Sequence, residues 1–360
     1  MATTDDIAVP IDGLLAFAEA LLGKLDVPEA DARLTASILL DADLRGVESH
    51  GMAHLAGFYV RRLQDGLINP RPDINVARQS PSAATLDGDR GLGFVVGHQA
   101  MSLAIEKARA TGSGWVSVAN STHYGAGAYY AMMALQHDMI GFSMTTGGRL
   151  MAAPGALGRT MGLNVLCVAA PTGKPYPYVL DMATSVVAHG KIEIAARRGQ
   201  SIPEGWAIDA AGRAITDPSN MQPGYALLPL GGLPATGGYK GFGLAMLVDI
   251  LCGALSGFGT SAEIEGGRTA AHCFGALRID AFGPEETYLE KIDGMIDAVL
   301  RSEVAEGAEQ VRIPGELEHR LAQERREAGT VPLHLAILEG FRSAAEELGV
   351  PFDLIEESPA

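Results

Sequence analysis

Apolar residues recur three and four apart from residue 11 to 25, where Ile11, Leu14, Leu15, Ala18, Leu21, Leu22 and Leu25 share one stripe. That is the spacing of a helix burying one face. A second stripe through Leu34, Ile38, Leu39 and Leu44 predicts a helix over 28–45, and a third helix is predicted from Ser49 to Asp65, stopping at Gly66. The pattern then changes. AATLDG, WVSVANS, IGFSMTT, VLCVAAP and YVLDMAT are short runs rich in β-branched and aromatic residues, bounded by Gly, Pro and Asn, and they predict strands. Helical spacing returns at 97–111, 126–137, 185–197 and 241–256. GALRID (275–280) is a further strand, and helices are predicted at 284–303, 315–328 and 332–348. Alternation of this kind is the mark of an α/β protein. Residues 199–240, rich in Gly and Pro, are expected to form long loops, and the two helical ends to pack together beside the sheet.

Composition narrows the function. The 360 residues are 47% hydrophobic, enough for a large core divided into two or three sub-domains. Net charge is −16, and Lys and Arg are not clustered, so the electrostatic footprint of a nucleic-acid binder is absent. Cys167, Cys252 and Cys273 are odd in number and form no CxxC, which argues against a disulfide framework and a thiolate metal site. The start, MATTDDIAVP, lacks the apolar run of a signal peptide. The most apolar stretch, 241–259, contains Asp249 and five glycines and reads as a buried helix rather than a membrane span. A cytoplasmic protein is expected.

Several stretches carry candidate chemistry. GDRGLGFVVGHQA (88–100) enters a helix after a strand, but Gly91, Gly93 and Gly97 give GxGxxxG, which is not the Rossmann phosphate fingerprint. A tight turn into a helix is the better reading. In NSTHYGAGAYY (120–130), His123 lies in a small-residue loop between strand and helix, where α/β proteins place acid–base groups. In LDMATSVVAHGK (180–191), Asp181 ends a strand and Ser185 is placed to cap a helix, an arrangement that can accept ribose hydroxyls or hold a phosphate. Lys240, between glycines in GGYKGFGLAM, can pair with an anion, though no P-loop surrounds it. In ESHGMAHLAGFY (48–59), His50 and His54 are four apart. HExxH chemistry would need Glu where Gly51 stands, so no metal is expected, and Ser49 as a helix cap is the alternative.

Taken together, ESHG (48–51), LQDGLINPRP, NSTHYGAGAYY, IGFSMTT, LDMATSVVAHGK, IPEGWAIDAAGRAITDP, LPLGG, YKGFGLAMLVDIL and IPGELEHR resemble the type 2 malate/L-lactate dehydrogenases, from about Leu14 to Arg326. The resemblance implies a nicotinamide-binding α/β fold that is not Rossmann. Its mixed-sheet cofactor domain would span 76–311, and a helical domain would be built from 1–75 and 312–360. It implies NAD or NADP as cofactor, a small-molecule substrate and a homodimer, with no nucleic acid or membrane as partner. His123 and His50 match the family's acid–base histidines. Cofactor contacts match Thr146, Gly147, Asp181, Met182, Ala183, Thr184, Lys240, Gly241, Pro314, Gly315 and Glu316. Ser49, His54, Tyr59 and Lys240 are expected on the substrate side. The implied reaction moves a hydride between NAD(P)(H) and C2 of a small 2-hydroxy or 2-oxo acid; reduction of a cyclic imino acid, or a relative that binds cofactor without turnover, is the alternative.

Three departures stand out. The family's carboxylate-gripping Arg, four after the ESHG histidine, is His54 here; either the substrate carries no ordinary carboxylate there, or Arg61, Arg149 or Lys240 serves instead. The Tyr expected eight after that histidine is Phe58, with Tyr59 one later, as if a residue were inserted. The TNP turn reads Leu163–Asn164–Val165.

Overall fold

The computed structural model describes residues 6–197, 199–264 and 269–355. The chain begins with β1 (Asp6–Pro10), α1 (Ile11–Gly23) and α2 (Glu29–Leu44), followed by an irregular helical segment ending in α3 (Arg61–Gln64). Next come β2 (Asn75–Gln79), β3 (Ala83–Asp87), α4 (Gly93–Thr111), β4 (Ser113–Ser121), α5 (Ala128–Met133), β5 (Met139–Thr145), β6 (Val165–Ala170), β7 (Tyr178–Met182) and α6 (His189–Arg197). The short pair β8 (Ala207–Ile208) and β9 (Ala226–Leu227) precedes α7 (Gly238–Asp249), β10 (Ala270–Arg278) and α8 (Glu285–Leu300). The chain closes with α9 (Glu316–Ala328), β11 (Thr330–His334) and α10 (Leu335–Leu348).

Seven strands form one mixed sheet in the order β2-β3-β4-β10-β5-β6-β7, in which β3–β4 is the parallel ladder and the others are antiparallel. This is an α/β fold without the doubly wound parallel sheet of a Rossmann domain. Side chains alternate across it. Val116, Val118, Phe274 and Ala276 face α4 and the N-terminal helices, whereas Ala271, Cys273 and Met144 face Val248 and Cys252 of α7 and its continuation. Gly114 of β4 lets α4 approach closely: a Cβ there would sit 2.0 Å from the Ala104 carbonyl oxygen. β1 and β11 pair antiparallel, Asp6 opposite His334, so the two chain ends meet.

The expected helix at 332–348 begins as strand, because Thr330 to His334 are the partner that β1 needs. The helix expected over 185–197 starts only at His189, and Ser185 spends its hydroxyl on the Val187 carbonyl at 2.8 Å rather than on a cap. β2 escaped prediction because every residue in it is exposed, leaving no alternation to read.

The register brings five strand ends together. The end of β4 (Ser121) pairs near the start of β10 (Ala270), His272 of β10 opposes Thr145 at the end of β5, Thr145 opposes Val165 at the start of β6, and Leu166 opposes Met182 at the end of β7. The candidate residues His123, Thr146, Gly147 and Asp181–Thr184 all follow from this one end of the sheet.

Candidate active site

Residues 48–65 are not the single helix expected. They form two 3-10 turns (Glu48–His50 and Met52–His54), a π-helical turn (Leu55–Val60) and then α3. Gly51 between the first two is extended, with φ −94° and ψ −150°. Asp43 of α2 takes the Met52 N–H at 2.8 Å, a donor that a continuous helix would have used internally. Ser49 does not cap; its hydroxyl bonds His50 Nδ1 at 2.9 Å.

The π turn accommodates one residue more than an α turn. In a regular helix a residue 100° further round would leave the face of His50 and His54. Instead Tyr59 reaches His123 Nδ1 at 2.5 Å, and the Phe58 ring also lies 5.3 Å from the His123 ring. The one-residue displacement of Tyr59 in the sequence is therefore absorbed in the backbone.

Three imidazoles stand together. Ring centroids are 6.0 Å apart for His50–His54, 5.7 Å for His50–His123 and 6.1 Å for His54–His123, with planes within 19° of parallel. All three are half-buried. His123 Nδ1 also receives the Gly125 N–H at 3.3 Å; that donor cannot accept, so the neutral ring carries its hydrogen on Nε2. Burial, then the neighbouring His50, His54, His272 and Arg62, hold His123 well below the usual histidine range. Burial likewise lowers His50, partly offset by Asp181. The Tyr59 hydroxyl, fully buried, is pushed well above its ordinary range. The resting pair is thus neutral phenol and neutral imidazole.

Beneath the His123 loop lies His272. It is fully buried, receives Thr145 Oγ1 at Nδ1 (2.8 Å), bonds Ser121 Oγ (2.9 Å) and the Thr122 carbonyl (3.2 Å) through Nε2, and stacks on Tyr124 at 4.7 Å. Burial pushes it down to about 3, so it is a neutral support for the loop. Gly93 at the start of α4 abuts the same loop, with room for no side chain against the Thr122 and His123 carbonyls.

The candidate cofactor positions surround this end of the sheet. Asp181 is exposed, yet anchored by the Ala128 N–H at 2.8 Å and the Cys167 thiol at 3.0 Å. Thr184 is buried, bonded through Oγ1 to the Leu163 carbonyl at 2.7 Å, and its carbonyl accepts Leu230 N–H at 2.8 Å. Gly241 lies on the same Leu230 backbone. Pro314 accepts Val179 N–H at 3.0 Å, and Gly315, with φ +93°, leads into Glu316 at the start of α9. These loops therefore interlock around Asp181, Met182 and Ala183. Thr146 is buried beside Ser261 at 3.5 Å, and Ser261 Oγ donates to Asn164 of the altered turn at 3.1 Å. Lys240 is exposed in the first turn of α7, its ammonium 5.9 Å over Tyr239. No bond joins it to the histidines among the described residues.

The cation beside His123 is Arg62, which sequence reasoning passed over: its guanidinium lies 4.0 Å over Phe58 and its charge acts on both Tyr59 and His123. Arg61, by contrast, is exposed and forms an ion pair with Glu347 at 3.2 Å. A separate apolar hollow of about 500 Å³ lies around Ile140, Leu277, Phe282 and Tyr288, at the opposite end of β5 and β10 from this site. Among the described residues no group of His, Cys, Asp and Glu is arranged to hold a metal ion.

Residues 9–342 match the family model described as malate/L-lactate dehydrogenase. The chain belongs to that family. A malate dehydrogenase of Pyrococcus horikoshii is 45% identical over 96% of both chains. A Δ1-pyrroline-2-carboxylate reductase of Pseudomonas fluorescens is 32% identical, over 82% of this chain and 88% of its own. The solved sulfolactate dehydrogenase of Methanocaldococcus jannaschii superposes with a TM-score of 0.88 at 36% identity, over 97% of this chain and all of that one. Family membership makes this chain an oxidoreductase of the hydroxy-acid dehydrogenase kind. No helix among the described residues is long and apolar enough to cross a membrane.

Proposed function

We propose that the protein interconverts a small 2-oxo acid and its 2-hydroxy acid with NAD or NADP, using His123 as the proton-transfer group. The observation that carries the assignment is the Tyr59–His123 bond at 2.5 Å: it fixes one ring nitrogen and leaves Nε2 for substrate. The donor set around β7 fits a nicotinamide dinucleotide. An exposed, anchored Asp181 suits ribose hydroxyls. The exposed Lys240 suits a phosphate, with the Thr146–Gly147 and Pro314–Glu316 backbones flanking. The reduced nicotinamide, when bound, supplies the hydride to C2.

The chain's own residues manage the proton. At rest His123 is neutral because burial, and then His50, His54, His272 and Arg62, oppose a charge on it. A substrate carboxylate beside the histidines offsets that repulsion and favours the imidazolium. A proton taken from solvent at Nδ1 makes the imidazolium, and the Tyr59 hydroxyl turns to accept from Nδ1–H. Nε2–H then passes its proton to the oxygen on C2 as hydride arrives, leaving a neutral Nδ1–H ring that exchanges with solvent back to the Nε2–H form held by Tyr59 and Gly125. Oxidation runs the same steps backward. His50, joined through Ser49 to solvent, is the competing acid–base group or the ring that orients His123. Arg62 and His54 are the groups proposed to face the carboxylate.

We further propose the division into a cofactor domain (76–311) and a helical domain from the two ends. Tyr239, Met246, Leu247, Ile250 and Leu255, apolar and exposed along α7 and its continuation, support a homodimer. A cytoplasmic location goes with this reading. A second reading, reduction of a cyclic imine, is favoured by the reductase relative.

Absorbance at 340 nm across 2-oxo acids, 2-hydroxy acids and cyclic imines, with each cofactor, tests the proposal. Turnover of an open-chain 2-oxo acid, abolished in His123→Ala with cofactor binding kept, is expected. Turnover confined to imines selects the second reading; binding of cofactor with no turnover on any compound sinks both.

A further inference from the structure

Asp43 lies at the penultimate position of α2, on the stripe that buries Ala36, Leu39 and Leu40, and is 1% exposed. A carboxyl group there needs a reason, since burying its charge is costly unless it is paired. Among the described residues no cation pairs with it. Arg325 of α9 reaches the Asp43 backbone carbonyl and, at 3.4 Å, Glu48. One carboxyl oxygen accepts Met52 N–H at 2.8 Å; the other has no hydrogen-bond partner among the described residues. That second oxygen lies against the bare Cα of Gly51, where a Cβ would fall 2.1 Å away. The chain is extended at Gly51, between the turn that carries His50 and the turn that carries His54. Gly51 is thus required for close approach rather than for an unusual φ.

We propose that Asp43 is a positioning residue for the histidine group: its carboxyl oxygen holds the Met52 N–H and seats Gly51, fixing the junction between the two turns and so setting His50 and His54 against His123. The carboxyl touches no substrate in this role, and it acts through the backbone. Burial, reinforced by Glu48 and opposed by the Met52 N–H and Arg325, holds the group up to about 7, in keeping with an acid used as an acceptor rather than as an ion-pair partner. The kinetic consequence rests on the dehydrogenase reading above; the geometric one does not.

Three variants of the full chain test it, with steady-state kinetics and the titration of the His50 ring followed by NMR of labelled histidine. Asp43→Leu removes the acceptor at similar size. It is expected to lower kcat tenfold or more with the cofactor KM within threefold, and to move the His50 titration up toward the ordinary 6.5 as the turn loosens. Asp43→Asn keeps an acceptor oxygen and is expected to restore kcat to within about threefold and the His50 titration to its wild-type position. Gly51→Ala attacks the same contact from the loop side and should reproduce the leucine phenotype, so it carries the test if Asp43→Leu does not fold. Wild-type kcat and an unmoved His50 titration in Asp43→Leu or Gly51→Ala overturn the proposal, as does failure of Asp43→Asn to rescue. Should the wild type turn over no compound, the dehydrogenase reading fails, and the His50 titration alone decides the positioning role.

Discussion

Replacing Tyr59 by Phe removes one oxygen from the site and little else. The ring stays packed on Phe94, 4.8 Å between centroids, and it is fully buried with or without its hydroxyl. The lost bond is to His123 Nδ1, where Gly125 N–H remains as a longer partner. A neutral hydrogen bond contributes about 1 kcal/mol, and one to a charged ring roughly 1.5–3 kcal/mol. In the proposed mechanism only the imidazolium delivers the proton, so the difference between the two sets the expected slowing. That difference is roughly 0.5–2 kcal/mol, or about 2- to 30-fold in kcat. The charged ring loses more than the neutral one, so the His123 titration falls further and the pH optimum for reduction moves down. Steady-state kinetics of Tyr59→Phe from pH 5 to 9, with cofactor KM measured alongside, is the assay. A kcat within twofold of wild type, or an optimum moving up, would refute the assignment of Tyr59 to His123.

Three further outcomes follow from the same geometry. Deleting Gly57, exposed and with open space around its Cα, should collapse the π turn to an α turn while keeping Tyr59 on His123. Soluble protein with kcat within about fivefold is expected, whereas deleting the exposed Ser102 from α4 rotates all that follows by about 100° and should abolish folding. His54→Arg restores a permanent, forked cation near His123 and should lower KM for a 2-oxo acid, most strongly above pH 7 where a histidine is neutral; an unchanged KM excludes position 54 from the carboxylate site. Asp43 bears on stability with a definite sign. Its titration is raised from 3.8 to about 7, so the native state keeps a proton that the unfolded chain has lost, and stability falls as pH rises from about 4 to 7 and levels off above. Between pH 5 and 8 this amounts to roughly 2–3 kcal/mol. Asp43→Asn lacks this loss, so urea unfolding should show the variant gaining on wild type across that interval; a constant difference would show that Asp43 is ionised in the native state throughout.

Much of the sheet was legible because its strands carry strong local signals. β4, β5, β6 and β7 are β-branched runs closed by Gly, Pro and Asn, and the motifs NSTHYG and LDMATS straddle two of their ends. Pairing order was not legible. That β10 inserts between β4 and β5 depends on contacts over more than 100 residues, and with it came the placement of His272 under the His123 loop. A histidine in the middle of AAHCFGALR looks like any buried strand residue until its neighbours are known. Asp43 offered a clearer signal: an acid on the apolar stripe of α2, eight residues before the glycine that parts the two histidine turns.

The segment 48–62 shows why the rest could not be read in advance. Residue spacing there promised one helix, and on one helix Phe58, not Tyr59, would share the face of His50 and His54. Asp43 and Gly51 interrupt the helix before His54, and the π turn adds a residue after it, so two local irregularities set the register of the site. Each irregularity costs backbone hydrogen bonding that a regular helix would keep. They are tolerated because tertiary partners offset the loss: the Asp43 carboxyl on one side and the buried Tyr59–His123 bond on the other. The same two features move Arg62 to the Phe58 ring and leave Arg61 on the surface with Glu347. Which of two adjacent arginines lies over the Phe58 ring is therefore decided by the backbone of the preceding turn, and a one-residue change at Gly57 tests the tyrosine and the arginine together.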